Sequence, residues 1–201
     1  MIKNNLLNHF QAGFQKQKSC IHQLLRLSEQ VSTWFNKKSG GRTVGLFIDA
    51  EKAFDSIWHD GLRKQLFDAK LPTKIIRWLS NFLQDRQGRV RVNTFLSEKV
   101  PLLAGVPQGS ILAPLLYIFY IRNMPTENSK ELISSFYADD TSYAASEDNR
   151  KNRSVFTACH LQKIINRLEE FCSKWRIGLN PSKTWCLNFF IKKENDNWPR
   201  L

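Results

Sequence analysis

Phe136-Tyr137-Ala138-Asp139-Asp140-Thr141-Ser142-Tyr143 decides how the rest of this chain is read. Small or polar residues alternate with Phe136, Tyr137 and Tyr143. The stretch therefore reads as two strands meeting at a tight turn, with both carboxylates at the turn. Adjacent Asp side chains repel unless a cation neutralises them. Two acids projecting from a rigid hairpin thus suit a divalent metal held by hard oxygen ligands. Asp-Asp is also common in ordinary turns, and a further acid in a like setting is what separates the two readings.

Asp49 is that acid. It ends the apolar run Val44-Gly45-Leu46-Phe47-Ile48, which is rich enough in β-branched and aromatic residues to form a buried strand. An acid at the end of such a strand is costly unless a metal or a basic partner satisfies it. Taken alone, Asp49 is better read as a cap for the helix that follows. With Asp139 and Asp140 in view, acids on two strands can meet and hold two hard cations. Between them lies Gly105-Val106-Pro107-Gln108-Gly109-Ser110-Ile111-Leu112-Ala113-Pro114, whose glycines and prolines make a constrained loop before an apolar helix. A turn and a helix start are the plainer reading. Close approach of a planar ligand needs the same residue types, with Gly109 leaving room and Gln108 offering an amide.

In order, Phe47-Ile48-Asp49-Ala50-Glu51-Lys52-Ala53-Phe54-Asp55, the Gly105–Pro114 loop, Tyr137-Ala138-Asp139-Asp140 and Leu179-Asn180-Pro181-Ser182-Lys183-Thr184 resemble the motif series of reverse transcriptases. They are most similar to those of non-LTR (LINE-like, jockey-type) retrotransposons. The resemblance runs from about Gln11 to about Phe190, and four motifs in order make it specific.

Composition agrees with a folded domain, and its charge suits a polyanionic partner or simply a soluble, basic surface. The chain has 201 residues, 42% of them hydrophobic, and a formal net charge of +12. Cys20, Cys159, Cys172 and Cys186 show neither paired Cys-x-x-Cys spacing nor a His at zinc spacing, so they read as free, mostly buried thiols of a reducing compartment. No leader pattern opens the sequence, and the Ile111–Ile121 run is too short to span a bilayer. The expected setting is intracellular, nucleus or cytoplasm, without a membrane.

The periodicities predict helices over 19–37 (apolar stripe Ile21, Leu24, Leu25, Val31, Phe35), 60–69 with Asp60 as N-cap, and from Pro72 onward through Leu83. A further helix follows the loop to about Ile121. The clearest helical face is Ala158, Leu161, Ile164, Ile165, Leu168, Phe171, Cys172 and Trp175, ended by Gly178. Arg86 to Asn93 alternates like a half-buried strand with Arg89 and Arg91 on one side and Val90 and Val92 on the other. Ser146 to Ser154 reads as a loop, and Thr184 to Ile191 as a last strand. Mixed elements without strict βαβ alternation predict an α+β fold, an antiparallel sheet with helices packed on one face. The resemblance independently implies the same polymerase palm. It divides the chain into a partial fingers region, 1–44, and a palm domain, 45–201, with 70–104 as an insertion. Thumb and endonuclease are expected to be absent.

The resemblance also implies roles. Asp49 and Asp139 would ligate two Mg²⁺ ions, or Mn²⁺ in their place, with Asp140 in support and the Ala50 carbonyl completing a coordination sphere. The ions would serve nucleotidyl transfer from deoxynucleoside triphosphates to a DNA primer on an RNA template. Asp55 reads better as a helix cap. Phe54 stands where the family places a bulky residue under the sugar, although a core aromatic is its plainer reading. Gln108 and Gly109 match the segment contacting the templating base and nucleotide, beside Tyr137. Lys183 matches a lysine proposed to protonate the leaving pyrophosphate, or is simply solvated. Arg86, Arg89 and Arg91, with Lys74 and Arg77, could line a phosphate path.

Gln11-Ala12-Gly13-Phe14-Gln15-Lys16-Gln17-Lys18-Ser19-Cys20 resembles the fingers motif with departures. Gln15 stands where an Arg clamp for phosphates is expected, and Lys16 or Lys18 would be poorer point-charge substitutes. A retrotransposon remnant that binds nucleic acid without processive polymerisation is the competing reading. A two-metal nuclease ranks last, because it leaves Phe54 and the Gly105–Pro114 loop unexplained.

Overall fold

The computed structural model describes residues 6–38, 40–148 and 154–190. Helices α1 (Cys20–Phe35), α2 (His59–Asp68), α3 (Thr73–Leu83), α4 (Leu112–Tyr120) and α5 (Ser154–Trp175) accompany one main sheet, with α1 and α5 packed on it and α2 packed on α3 and α4. Its strands are β1 (Gly41–Ala50), β6 (Leu132–Tyr137), β7 (Asp140–Asp148) and β8 (Leu179–Phe190), in the spatial order β6-β7-β1-β8 and antiparallel throughout. The α+β antiparallel architecture predicted from the sequence is the one observed.

Strand alternation decides what each face of the sheet carries. Leu46 and Ile48 of β1, Tyr143 and Ala145 of β7 and Phe136 of β6 point into the core, against Ile164 and Leu168 of α5 and Leu116 and Tyr120 of α4. The α5 face expected from the sequence holds from Leu161 to Trp175. At its start Thr157 is buried and Ala158 exposed, because the Thr157 amide donates to the buried Glu147 carboxylate, which also pairs with Arg42. The opposite sheet face carries Thr43, Phe47 and Asp49 with Ser142, Ser146 and Asp140. The Thr43 and Ser146 hydroxyls hydrogen-bond across it at 2.8 Å.

Helix α1 lies on that second face, where the expected stripe holds only in part: Val31 and Phe35 are half-buried. Ile21, Leu24 and Leu25 face solvent. The inward side combines buried Trp34 and half-buried Leu27 and Val31 with polar side chains. Gln23 donates to the Phe10 carbonyl, Arg26 to the Ser134 carbonyl, and Gln30 to the Ser146 hydroxyl. Carbonyls near the end of the sheet select amide and guanidinium donors over aliphatic side chains.

Other boundaries also move. Helix α2 starts at His59 with Trp58 at its N-cap, so Asp60 sits in the first turn and pairs with Arg63 rather than capping. Ser146 to Asp148 extends β7 instead of looping, since Thr43, Arg42 and Gly41 pair with it. The rest of that expected loop, 149–153, lies outside the described residues, as does Ile191. Strand β8 begins at Leu179, not Thr184. Cys20, Cys159 and Cys186 are exposed and only Cys172 is buried, which corrects the expectation of mostly buried thiols.

The largest departure is at 86–101. Strands β2 (Gln87–Gly88) and β5 (Val100–Pro101) pair, as do β3 (Arg91–Val92) and β4 (Phe95–Leu96), forming a narrow ribbon. Val90, Val92, Phe95 and Leu96 are as exposed as Arg89 and Arg91, so this is no half-buried strand. Alternation separates two faces only where something covers one of them, and nothing among the described residues does so here.

Candidate active site

Asp49 reaches the site because β1 ends there. The β1–β7 register pairs Gly41 with Asp148 through Ile48 with Thr141, so one further step sets Asp49 opposite Asp140. Ile48 and Thr141 point to the core and their neighbours point away from it. Both acids therefore face one groove of about 500 Å³, whose lining includes Leu24, Phe47, Tyr137, Trp185 and Lys183. Like charges directly opposed across a ladder destabilise it. Partial burial, and after it Asp139 and Asp49, push the Asp140 carboxyl above its ordinary value.

The turn that carries Asp139 splits the pair of acids. Ala138 is in the left-handed region at φ +57°, and Asp140 already begins β7. Asp139 lines the inner side of the turn with Ala50, Tyr117 and Leu179. Ala50 itself pairs with Leu179. The buried Tyr117 hydroxyl is driven upward in pKa by burial first, then by Asp139, with Asp140 and Asp49 contributing. Asp139 and Asp49 thus act on Asp140, and all three carboxylates on Tyr117. Among the described residues no three His, Cys, Asp or Glu side chains are gathered into a cluster that could hold a metal. The donors are hard carboxylate oxygens of the type Mg²⁺ takes.

Lys183 enters from β8. That strand swings out over Pro181–Thr184 opposite Ile48, and Asn180 holds the bulge. The Ser182 hydroxyl donates to the Asn180 side chain at 2.6 Å, and the Thr184 hydroxyl to its carbonyl at 2.9 Å. The Lys183 ammonium stands 3.7 Å from the Asp49 carboxylate.

A second cleft, of about 200 Å³, is lined by Phe54, Gln108, Gly109, Ala113 and Pro114. Phe54 is half-buried rather than wholly in the core. Its ring lies 5.0 Å from Tyr117 and 6.3 Å, edge-on, from Phe14. Tyr117 therefore bridges Phe54 and the Asp139 side of the turn. Sequence reading missed it, because a tyrosine in the apolar run Leu112–Tyr120 carries no local signal. Gly109 adopts φ +83° with open space where a Cβ would point, so backbone conformation rather than crowding calls for glycine. The Gln108 amide donates to the Asp55 carboxylate at 3.0 Å. This partner, not a helix N-terminus, occupies Asp55 and replaces its expected capping role.

The cations are distributed unevenly. Arg89 and Arg91 are exposed on the ribbon, while Arg86 donates to the Gly105 carbonyl at 3.1 Å and anchors the ribbon's base. Lys18 donates to the His9 and Gln11 carbonyls, and burial, then Arg26, lower its pKa. It is engaged locally rather than extended as a clamp.

Comparison with known proteins gives the family and the fold. The model of the reverse transcriptase (RNA-dependent DNA polymerase) family matches residues 1–195. Among curated proteins, the probable RNA-directed DNA polymerase from transposon BS of Drosophila melanogaster is 33% identical over 92% of this chain and 20% of its own length. The RNA-directed DNA polymerase from mobile element jockey of the same fly is 31% identical over 94% of this chain and 20% of its own. The chain thus spans about 20% of the length of the curated relatives it matches. Among solved structures, telomerase from Candida albicans in complex with a TWJ fragment of telomeric RNA aligns with TM-score 0.65 and 12% identity, covering 89% of this chain and 32% of that one. Apo telomerase from Candida tropicalis, truncated from its C-terminal domain, aligns at 0.61 and 14%, covering 92% and 37%. At such identities these structures speak for the palm fold alone. With its ordered motifs, its acid-bearing hairpin beside β1 and a family match across nearly its whole length, the chain belongs to the reverse transcriptase family of RNA-dependent DNA polymerases.

Proposed function

We propose that this chain is the polymerising domain of a mobile element, copying an RNA template onto a DNA primer from deoxynucleoside triphosphates. The observation that carries the reading is the placement of Asp49 opposite Asp140 in one groove, with Asp139 on the inner side of the same turn. Asp49, Asp139 and Asp140 would hold Mg²⁺, with Mn²⁺ as a substitute. When bound, two such ions supply the charge that activates the primer 3′-hydroxyl and stabilises the leaving oxygens.

The remaining work falls to the chain's own residues. Asp49 and Asp140 offer negative charge at the groove, while Trp185, Tyr137 and Phe47 give it an apolar wall. Phe54 sets the floor of the neighbouring cleft, where its ring would exclude a 2′-hydroxyl. Gly109 leaves the backbone open for close approach of the nucleotide, and Gln108 is held ready by Asp55. Lys183 would give up a proton to the departing pyrophosphate, reached from the Asp49 pair. Arg89 and Arg91 on the ribbon would hold template or primer through phosphates, independently of sequence.

Primer extension by the purified chain on an RNA template with Mg²⁺ tests this. Extension that is lost in Asp49→Asn and Asp139→Asn variants is the expected result. Tight, salt-sensitive binding of the hybrid without any extension would overturn it in favour of a nucleic-acid-binding remnant.

A further inference from the structure

The turn carrying Asp139 and Asp140 is held from outside the hairpin. Residues 10–12 run along the free edge of β6: the Phe136 amide donates to the Phe10 carbonyl at 3.2 Å, and the Ala12 amide to the Phe136 carbonyl at 2.9 Å. This brings Gln11, 1% exposed, under Ala138. Its carboxamide takes both backbone groups of that one residue. The Ala138 amide donates to Gln11 Oε1 at 2.8 Å, and Gln11 Nε2 donates to the Ala138 carbonyl at 3.0 Å. The same Oε1 accepts the Gly13 amide at 2.7 Å. A Cβ on Gly13 would overlap the Ala138 amide nitrogen, so only glycine lets the segment close on the turn.

Ala138 needs such a partner. An alanine in the left-handed region is strained, and its amide and carbonyl leave the ladder there. A buried amide or carbonyl without a partner is costly, and the carboxamide satisfies both with a fixed spacing. The backbone at Ala138 in turn sends Asp139 to the inner side and Asp140 to the groove.

We infer that Gln11 is a positioning residue of the polymerase site: its carboxamide sets the conformation of the Ala138 turn and thereby the directions of the Asp139 and Asp140 carboxylates. The inference rests on the proposed role of those two acids, and it adds a residue 127 positions away in sequence that touches neither substrate nor cation. Gln11 lies in the segment whose departures from the fingers pattern weaken a phosphate clamp. Its contacts give that segment a different task, as a brace for the hairpin.

Gln11→Met keeps the volume and removes both hydrogen-bonding ends. Three measurements separate positioning from bulk structure. Hydrogen exchange at the Ala138 and Gly13 amides should quicken by about tenfold or more, as expected for loss of one or two buried hydrogen bonds, while exchange at Tyr143 within β7 stays as in the parent. Mn²⁺ affinity of the chain alone, read by electron paramagnetic resonance, should fall several-fold. In primer extension kcat should drop by about 100-fold with little change in nucleotide KM, the cost expected of misplacement by about 1 Å. Unchanged Ala138 exchange in the folded variant overturns the inference, and so does quickened exchange with unchanged Mn²⁺ affinity and kcat. If the parent extends no primer while exchange and Mn²⁺ affinity both respond, the brace stands and the polymerase reading falls. Should Gln11→Met fail to fold, Gln11→Asn carries the same test: it keeps a neutral carboxamide but, one methylene shorter, withdraws both of its ends from the Ala138 amide and carbonyl.

Discussion

Lys183 and Asp49 form an ion pair at 3.7 Å across the β1–β8 bulge, in the groove that Asp49 shares with Asp140. Both partners are partly solvated, so the pair contributes little to stability, at most about 1 kcal/mol. Its interest lies in the proposed function, because the ammonium stands beside a carboxylate proposed to hold a divalent cation.

Lys183→Met should therefore separate two quantities. Cation affinity, read by Mn²⁺ titration of the chain alone, should rise several-fold, since a competing positive charge is gone. The rate of primer extension should fall by about 10²–10⁴-fold if Lys183 delivers the proton to pyrophosphate. Weaker cation binding in this variant would show that the ammonium supports the site instead of competing for it.

Asp140 predicts a pH dependence. Its folded-state pKa is raised by partial burial, then by Asp139 and Asp49. A carboxyl raised in the folded state binds its proton more tightly there than in the unfolded chain. Its ionisation thus costs stability as pH rises from its ordinary value through its raised one. Cation-free chain should lose stability across that window, and Asp140→Asn should remove this part of the loss. Solvent screening keeps the effect below about 1 kcal/mol. Urea unfolding of parent and variant over the acid range, without divalent ions, measures it. A stability gain in the parent, with rising pH, that Asp140→Asn abolishes would contradict the sign.

Phe54 lies half-buried over the cleft with Gln108 and Gly109, its ring braced by Phe14 and Tyr117. Phe54→Ala should raise ribonucleotide use relative to deoxyribonucleotide use by about tenfold or more, the scale of 1–3 kcal/mol steric discrimination. Stability should fall by less than the 3–5 kcal/mol or so of a fully buried Phe→Ala. Competition assays with both sugars, alongside thermal unfolding, decide the matter. Unchanged discrimination with a large loss of stability would make Phe54 a core aromatic.

The ribbon should bind without folding consequences. Arg89→Ala and Arg91→Ala should each weaken hybrid binding with little base preference. Each should also flatten the slope of log affinity against log salt by about 1 for every phosphate left without its cation. Melting temperature should change little, since both side chains are exposed and Arg91 loses only a solvent-exposed bond to the Asn93 carbonyl. Arg86→Ala should instead lower stability, because its guanidinium holds the Gly105 carbonyl.

Much of this protein is legible in the order of its residues. The four motifs announce the family, and alternation around Asp139-Asp140 announces a hairpin. Spacing of Leu161, Ile164, Leu168 and Cys172 announces a buried helical face. These signals are local: a period, a turn, a short ordered pattern. Where local signals depend on what covers a segment, they mislead. Leu24 and Leu25 face solvent because α1 crosses polar backbone groups, and Val90 and Val92 because nothing among the described residues covers the ribbon. Asp60 misses its cap by two residues, since several polar groups near a helix start compete for one position.

By itself the amino-acid sequence determined the family, the α+β class and the identity of the acids, because these rest on residue type and order. Tertiary structure alone decided which acids share a groove. The β1–β7 register sets Asp49 opposite Asp140, the left-handed Ala138 turns Asp139 inward, and the β8 bulge brings in Lys183. It also decided that Gln11, far from the turn in the chain, braces Ala138, and that Tyr117 joins Phe54 to Asp139. Such contacts join residues far apart in the chain. Their energies depend on burial and on ladder register, and neither is written in any short stretch of residues.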